Sequence, residues 1–265
     1  SVGSAEQHVP TDGSGLRGLL QSSSNVTDDT DRAELSAPAD AKERTYMGLS
    51  ASTPCFCLTL DADEVPTGDT WFKTTPPIRH ELHQDALWDA LRDGVVQSIT
   101  SSHRPVAPRE KMCAERDFLR ARAGTPSIQT MLPTIWSEAR ERGFEVADLA
   151  DWLCASPAHS MGLEGIKGEI RVDADADFVV WEPDTPVAIG PAMLHSQHKV
   201  SVWEPQPTDE HPRAFAGRVR ATYLRGRKVY SDGRFHAWAN APQGGSGGSG
   251  EVLHPELGVL DSLAE

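Results

Sequence analysis

Residues 85–105 read Asp85-Ala-Leu-Trp-Asp-Ala-Leu-Arg-Asp93-Gly94-Val95-Val-Gln-Ser-Ile-Thr100-Ser101-Ser102-His103-Arg104-Pro105. Leu87, Ala90 and Leu91 fall on one face of a helix over residues 85–93, and Gly94 suits its C-terminal cap. Val95, Val96 and Ile99 then form an apolar strand that runs into the polar residues 101–105. Helix, glycine, buried strand and polar loop follow one another in a parallel α/β unit, where ligands sit at the carboxyl ends of strands. The expected fold class is therefore α/β, and the strand end carrying His103 is the first place to look for chemistry. Just upstream, Phe72-Lys73-Thr74-Thr75-Pro76-Pro77-Ile78-Arg79 reads as a rigid loop.

Composition narrows the function classes. The formal charge of -14 over 265 residues argues against nucleic acid and against an anionic membrane surface, because both need clustered Lys and Arg. No apolar run approaches the ~20 residues of a membrane span. Cys55, Cys57, Cys113 and Cys154 make neither a disulfide framework nor a zinc knuckle, so buried reduced thiols in a cytoplasmic protein are expected.

Residues 1–45 hold no Phe, Tyr or Trp and are expected to be largely irregular, with a short helical turn at residues 16–20. Cys55 to Leu60 is a strand candidate. A helix is expected after Ser127, on Met131, Leu132, Ile135, Trp136 and Ala139, bent by Pro133 and stopped at Gly143. Val146, Leu149, Ala150 and Leu153 mark a third helix, and Ser156-Pro157 reads as the N-cap and first residue of a further one. Beyond Gly162 the period falls to two. Strands are expected at residues 177–181, 200–203, 218–224 and 228–230, with turns at Arg225-Gly226 and Asp232-Gly233. The domain reading is an irregular segment to residue 50, an α/β portion over 51–162, a β portion over 163–240, and a Gly/Ser linker with a short tail over 241–265.

Several stretches together resemble the allantoinases, cyclic amidohydrolases akin to dihydroorotases and hydantoinases. Residues 53–60 are similar to the family's Glu-Thr-Cys-Pro-His-Tyr-Leu strand, residues 72–79 to its Phe-Lys-Cys-Ala-Pro-Pro-Ile-Arg loop, and residues 101–105 to its Ser-Asp-His-Ser-Pro strand end. Asp117-Phe118-Leu119, Ser127-Ile128-Gln129, Leu132-Pro133 and Trp136-Ser137-Glu138-Ala139-Arg140 look like one family helix and its approach. Residues 167–181 and 220–226 resemble its terminal β-sandwich. The resemblance implies a partial (β/α) barrel of the amidohydrolase type followed by the carboxyl-terminal strands of a small β-sandwich. It also implies the family reaction, metal-dependent hydrolysis of the allantoin ring amide to allantoate in purine catabolism.

That chemistry uses histidines, a carboxylated lysine and an aspartate on two divalent metals, usually zinc. Here Phe56 stands at a histidine-ligand position and Ser102 at the aspartate position, while a weaker match puts Ser1 at another histidine. The strands with the first two histidines and the lysine have no counterpart after Ser1. A phenyl ring cannot coordinate zinc, and a serine hydroxyl replaces a carboxylate poorly as ligand or base. The expectation is a chain with no metal cofactor, no retained catalytic residue and no independent activity. An open barrel edge implies association with another copy or with a complete homologue.

The remaining polar residues carry two readings each. His103 and Arg79 are the candidate substrate contacts, set against a hydrogen-bonded structural histidine and an anchor for the Pro76-Pro77 loop. His80 and His83, like His195 and His198, have helical spacing that a metal could use, but neither pair has a third ligand nearby in sequence. Asp173, Asp175 and Asp177 imitate the start of a calcium loop, yet Phe178 occupies the position where that loop needs glycine. They are expected to lead, solvent-exposed, into the following strand.

Overall fold

The computed structural model describes residues 49–205 and 213–236. The irregular segment expected at the amino end, the Gly/Ser stretch and the tail fall almost wholly outside them. Among the described residues no helix is long and apolar enough to cross a membrane.

The amino part is a β-α-β unit. Strand β1 (Ser52–Pro54) pairs in parallel with β2 (Ser98–Thr100), with Ser52 opposite Ser98 and Pro54 opposite Thr100. Between them lie helix α1 (Cys55–Thr59), two 3₁₀ turns (Ala62–Glu64 and Thr70–Phe72) and helix α2 (Glu81–Arg92). The strand expected from Cys55 to Leu60 is thus a helix, with the strand just before it. Cys55, Phe56, Leu58 and Thr59 are all buried, at the spacing of one helical face, and short apolar runs do not distinguish the two periods.

Helix α2 starts four residues earlier than its sequence signal. The cap comes from far away: the Asp61 carboxylate accepts from the Glu81 amide at 3.0 Å and from the Asp63 amide at 2.7 Å. At the other end Gly94, at φ 72°, closes the helix as expected. Val96 N–H then bonds back to Ala90 C=O at 3.0 Å. That closure consumes the start of the expected strand, so β2 is only three residues long and Val95 is 48% exposed.

Helix α3 (Met131–Glu141) carries Pro133 in its first turn, where a helix offers no acceptor for the amide anyway. The reason for the expected bend therefore disappears. Residues 146–160 form one continuous helical run: α4 (Val146–Ala150), a π turn (Asp151–Ala155) and α5 (Ser156–Ser160). Ser156 is consequently not a new N-cap. Its amide bonds to Asp151 C=O, and the wider turn absorbs the amide that Pro157 lacks.

The carboxyl part is a four-stranded antiparallel sheet in the order β3 (Phe178–Val187), β4 (Phe215–Leu224), β5 (Arg227–Ser231), β6 (Arg234–Phe235). Both expected hairpin turns are present, with positive φ at Arg225 and Gly226 and again at Asp232 and Gly233, as two-residue turns of the primed kind require. The strand expected at residues 200–203 is a turn instead. Ser201, Val202 and Trp203 are buried in succession, which an alternating strand does not do.

One hydrophobic core joins these layers. Trp88, Phe144 and Trp152 form an aromatic triad with centroids 4.9 to 6.0 Å apart. Helix α3 packs on β4: the Ser137 hydroxyl donates to Pro133 C=O at 2.7 Å and accepts from the Ala216 amide at 2.9 Å. Beside it Gly217, at φ 105°, lets the Trp136 and Trp181 rings meet edge to face at 5.5 Å. A Cβ there would lie 3.2 Å from Trp181 and 3.3 Å from Trp136. Gly217→Ala is accordingly expected to cost about 1–3 kcal/mol through backbone strain and overpacking, read as a lower thermal midpoint with an unchanged far-UV spectrum.

Candidate functional site

The parallel strands place their carboxyl ends side by side. Cys55 Sγ, at the start of α1, donates to Ser101 C=O beyond β2 at 3.6 Å. Phe56 and Ser102, the two positions where the family resemblance implies a ligand and an aspartate, therefore belong to adjacent strand ends. Phe56 is 2% exposed and forms part of the hydrophobic core. Ser102 is half-buried at φ 46°, a conformation that asparagine, aspartate and glycine adopt more readily than serine.

His103 follows on the surface. Its Nδ1 accepts from the Ser127 amide at 3.0 Å and from the Ile128 amide at 3.2 Å, so it terminates the turn that leads into α3. Both bonds require Nδ1 without a proton, which fixes the neutral ring with its proton on Nε2. Partial burial also lowers the pKa of the ring from its ordinary value of 6.5. The Ser127 hydroxyl donates to Ser101 C=O, tying the same two segments together. Arg79 is exposed; its carbonyl accepts from the Ala62 amide at 3.1 Å, and its positive charge moderates the Cys57 thiol.

Neither thiol beside Phe56 is poised for chemistry. Burial pushes Cys55 up to about 12 and Cys57 up to about 11, so both stay protonated and unreactive near neutrality. Cys57 and Cys113 are half-buried and Cys154 is exposed, which corrects the expectation that all four cysteines are buried; all four are free thiols.

The histidine pairs separate. His195 and His198 are not on a helix, and the His195 ring packs against Phe235 and Tyr230 at 4.8 and 5.9 Å. His80 sits just ahead of α2, and the fold brings Asp61 and Asp63 to it, which sequence spacing did not reveal. Its Nδ1 lies 3.2 Å from Asp63 Oδ2, and donor atoms of all three residues fall within 4.8 Å of one another. The Asp61 oxygens already take two backbone amides, and Asp63 and His80 are exposed, so this group caps α2. Asp175 and Asp177 are not solvent-exposed leaders. Lys167 Nζ lies between them, 2.6 Å from Asp175, and Asp177 also accepts from the Arg225 amide at 2.6 Å, which pins the segment to the β4–β5 turn.

A buried cation missed in the sequence stands nearby. Lys111 is fully buried, and its ammonium donates to Thr70, Trp71 and Lys73 C=O at 3.2, 3.3 and 3.1 Å. Burial draws its pKa down to about 8, while three carbonyl oxygens facing its three hydrogens favour the charged form. In sequence it is one lysine in a charged run, and nothing local marks it for the interior.

Residues 125–230 match the profile of the Amidohydrolase family. The chain is 38% identical over 178 residues to an allantoinase of Streptomyces avermitilis, and 33% identical over 177 residues to an allantoinase of Arabidopsis thaliana. These matches take in 67% of this chain but 38% and 34% of the relatives, so the chain spans somewhat over a third of the length of the curated relatives it matches. Among solved structures, an L-hydantoinase from Arthrobacter aurescens superposes with a TM-score of 0.64 at 22% identity, covering 71% of this chain and 40% of that one. A dihydropyrimidinase from Brevibacillus agri gives 0.60 at 27% identity, covering 70% and 40%. The expected fold of a partial amidohydrolase barrel with an antiparallel carboxyl-terminal sheet is therefore present, and the chain belongs to the amidohydrolase family as an allantoinase-like member.

Proposed function

We propose that this chain is an allantoinase-like cyclic amidohydrolase homologue without independent ring-opening activity. Phe56 carries this reading. A phenyl ring 2% exposed in the core offers no donor atom to a divalent metal, at a position where the family resemblance implies a histidine. Ser102 supports it, because a neutral hydroxyl supplies neither the charge nor the basicity that a metal-bound hydroxide mechanism asks of its carboxylate. The described residues therefore do not fit the family's metal pair. A second reading, favoured by the two-stranded parallel sheet whose outer edges find no strand among the described residues, is a non-catalytic partner of another copy or a complete homologue.

Purified chain incubated with zinc, manganese or cobalt is expected to hold well under one metal per chain by elemental analysis, and to leave allantoin unhydrolysed above the uncatalysed rate. Stoichiometric metal together with allantoate formation would refute the proposal. Co-elution with a complete allantoinase, at a stoichiometry that survives dilution, is the outcome expected of the partner reading. Phe56→His is expected to destabilise the chain by about 2–4 kcal/mol, since it exchanges core packing for a buried polar ring without a partner.

His103 gives a pH signature independent of catalysis. Its pKa is lower folded than unfolded, so the unfolded chain takes up the proton first as pH falls. Its stabilising contribution is thus complete above pH 6.5, and is lost as pH falls from there through the folded-state value. His103→Ala should cost about 0.5–2 kcal/mol at pH 7, the scale of a lost helix cap, and should flatten this acid limb of urea-unfolding stability. A ring titrating at or above 6.5 by NMR would contradict the assignment.

A further inference from the structure

The loop between α1 and α2 and the loop after β2 exchange lysines. The loop after β2 sends Lys111 inward to the carbonyls of Thr70, Trp71 and Lys73. In return Lys73 donates to Phe118 and Leu119 C=O on that loop, the second at 3.0 Å. The remaining ties are polar too. Thr70 Oγ1 donates to Cys113 Sγ at 3.5 Å, Arg116 donates to Thr67 C=O, and the Gly124 amide donates to Lys73 C=O at 2.9 Å. Apolar burial along the loop is slight: Val106 and Ala121 are buried, whereas Leu119 is 93% exposed. Between residues 101 and 130 there is no helix or strand. A segment held by polar ties with little apolar burial opens at lower free energy than the core it lies on.

We propose that residues 106–123 form a strap that opens from the Thr70–Phe72 turn as a single unit, with Lys111 as its latch. The arrangement requires a three-point fit, because an ammonium has three hydrogens and the turn presents three carbonyls to it. Once the strap lifts, all three carbonyls and the ammonium exchange their bonds together, which makes opening all-or-none. Gly68 belongs to the same device. At φ 74° it turns the chain beneath Arg116, whose guanidinium would lie 2.5 Å from any Cβ there. The cleft left between turn and strap has a volume of about 300 Å³ and is lined by Thr67, Asp69, Cys113 and Arg116 among others. Lys111 is thus a positioning residue for both loops.

Hydrogen exchange of the full chain, followed by NMR, tests this. The amides of Arg122, Gly124 and Lys73 bond within the strap, across the clasp and within the turn, and because opening loosens strap and turn together they are expected to share one opening equilibrium, separate from that of α3. Lys111→Met should raise their exchange together by roughly tenfold or more, and leave β4 and β5 unchanged. Independent exchange of the three amides, or equal acceleration of the whole chain by Lys111→Met, would overturn the proposal. Should that variant fail to fold, Thr70→Cys with Lys111 retained provides the second measurement. Oxidation of that variant, joining position 70 to Cys113 through a disulfide, should slow all three amides by roughly tenfold or more, and an oxidised variant that still exchanges at the reduced rate would equally overturn it. The readout involves no ring opening, so its outcome is separate from that of the proposed function.

Discussion

The buried carboxyl end of α1 is the constraint on which the other elements depend. A helix of five residues leaves most of its carbonyls without intrahelical partners, and burial without partners would cost about 1–3 kcal/mol each. Here the last carbonyls, those of Leu58, Thr59 and Leu60, are met by side chains from distant parts of the chain. Trp88 Nε1 donates to Leu58 C=O at 3.2 Å, and Gln84 donates to Leu60 C=O, both from α2. Trp203 Nε1 donates to Thr59 Oγ1 at 2.9 Å, and Arg213 donates to Thr59 C=O. Helix α2, the turn around Trp203 and the approach to β4 are thereby fixed around a single point.

That point adjoins the carboxyl ends of β1 and β2, and its composition explains how they are held together. Burying Phe56 contributes about 1.5–3 kcal/mol of hydrophobic stabilisation that needs no ion. His103 likewise contributes as an acceptor for two amides at the entry to α3. Packing and hydrogen bonding thus hold these strand ends in place.

Away from this point, charged side chains link the layers. Arg213 also pairs with Glu64 and lies 3.6 Å from Glu138, joining the loop before β4 to α3 and the first 3₁₀ turn. Burial raises the Glu138 pKa, with Arg213 and Arg142 opposing that rise. Lys167 between Asp175 and Asp177, and Lys111 against three carbonyls, form comparable links in the two halves of the described fold. Such ties give direction more than strength: a partly buried ion pair offsets much of its own desolvation, but it admits few alternative arrangements.

The sequence by itself determined the α/β order of residues 85–105, the helical stripe of α3, the two positive-φ turns of the sheet, and a phenyl ring at residue 56 and a hydroxyl at residue 102, where the family resemblance implies a histidine and an aspartate. Each of these is a local property, set by periodicity, turn chemistry or the functional groups of one side chain. Only the tertiary structure decided that residues 55–59 coil, that α2 begins at Glu81, that residues 201–203 turn, and that Lys111 lies inside. In every such case the deciding partner is 20 or more residues away: Asp61 for Glu81, Thr59 for Trp203, Thr70 for Lys111. A buried polar group takes the conformation that satisfies it, and what satisfies it is known only once the chain has folded.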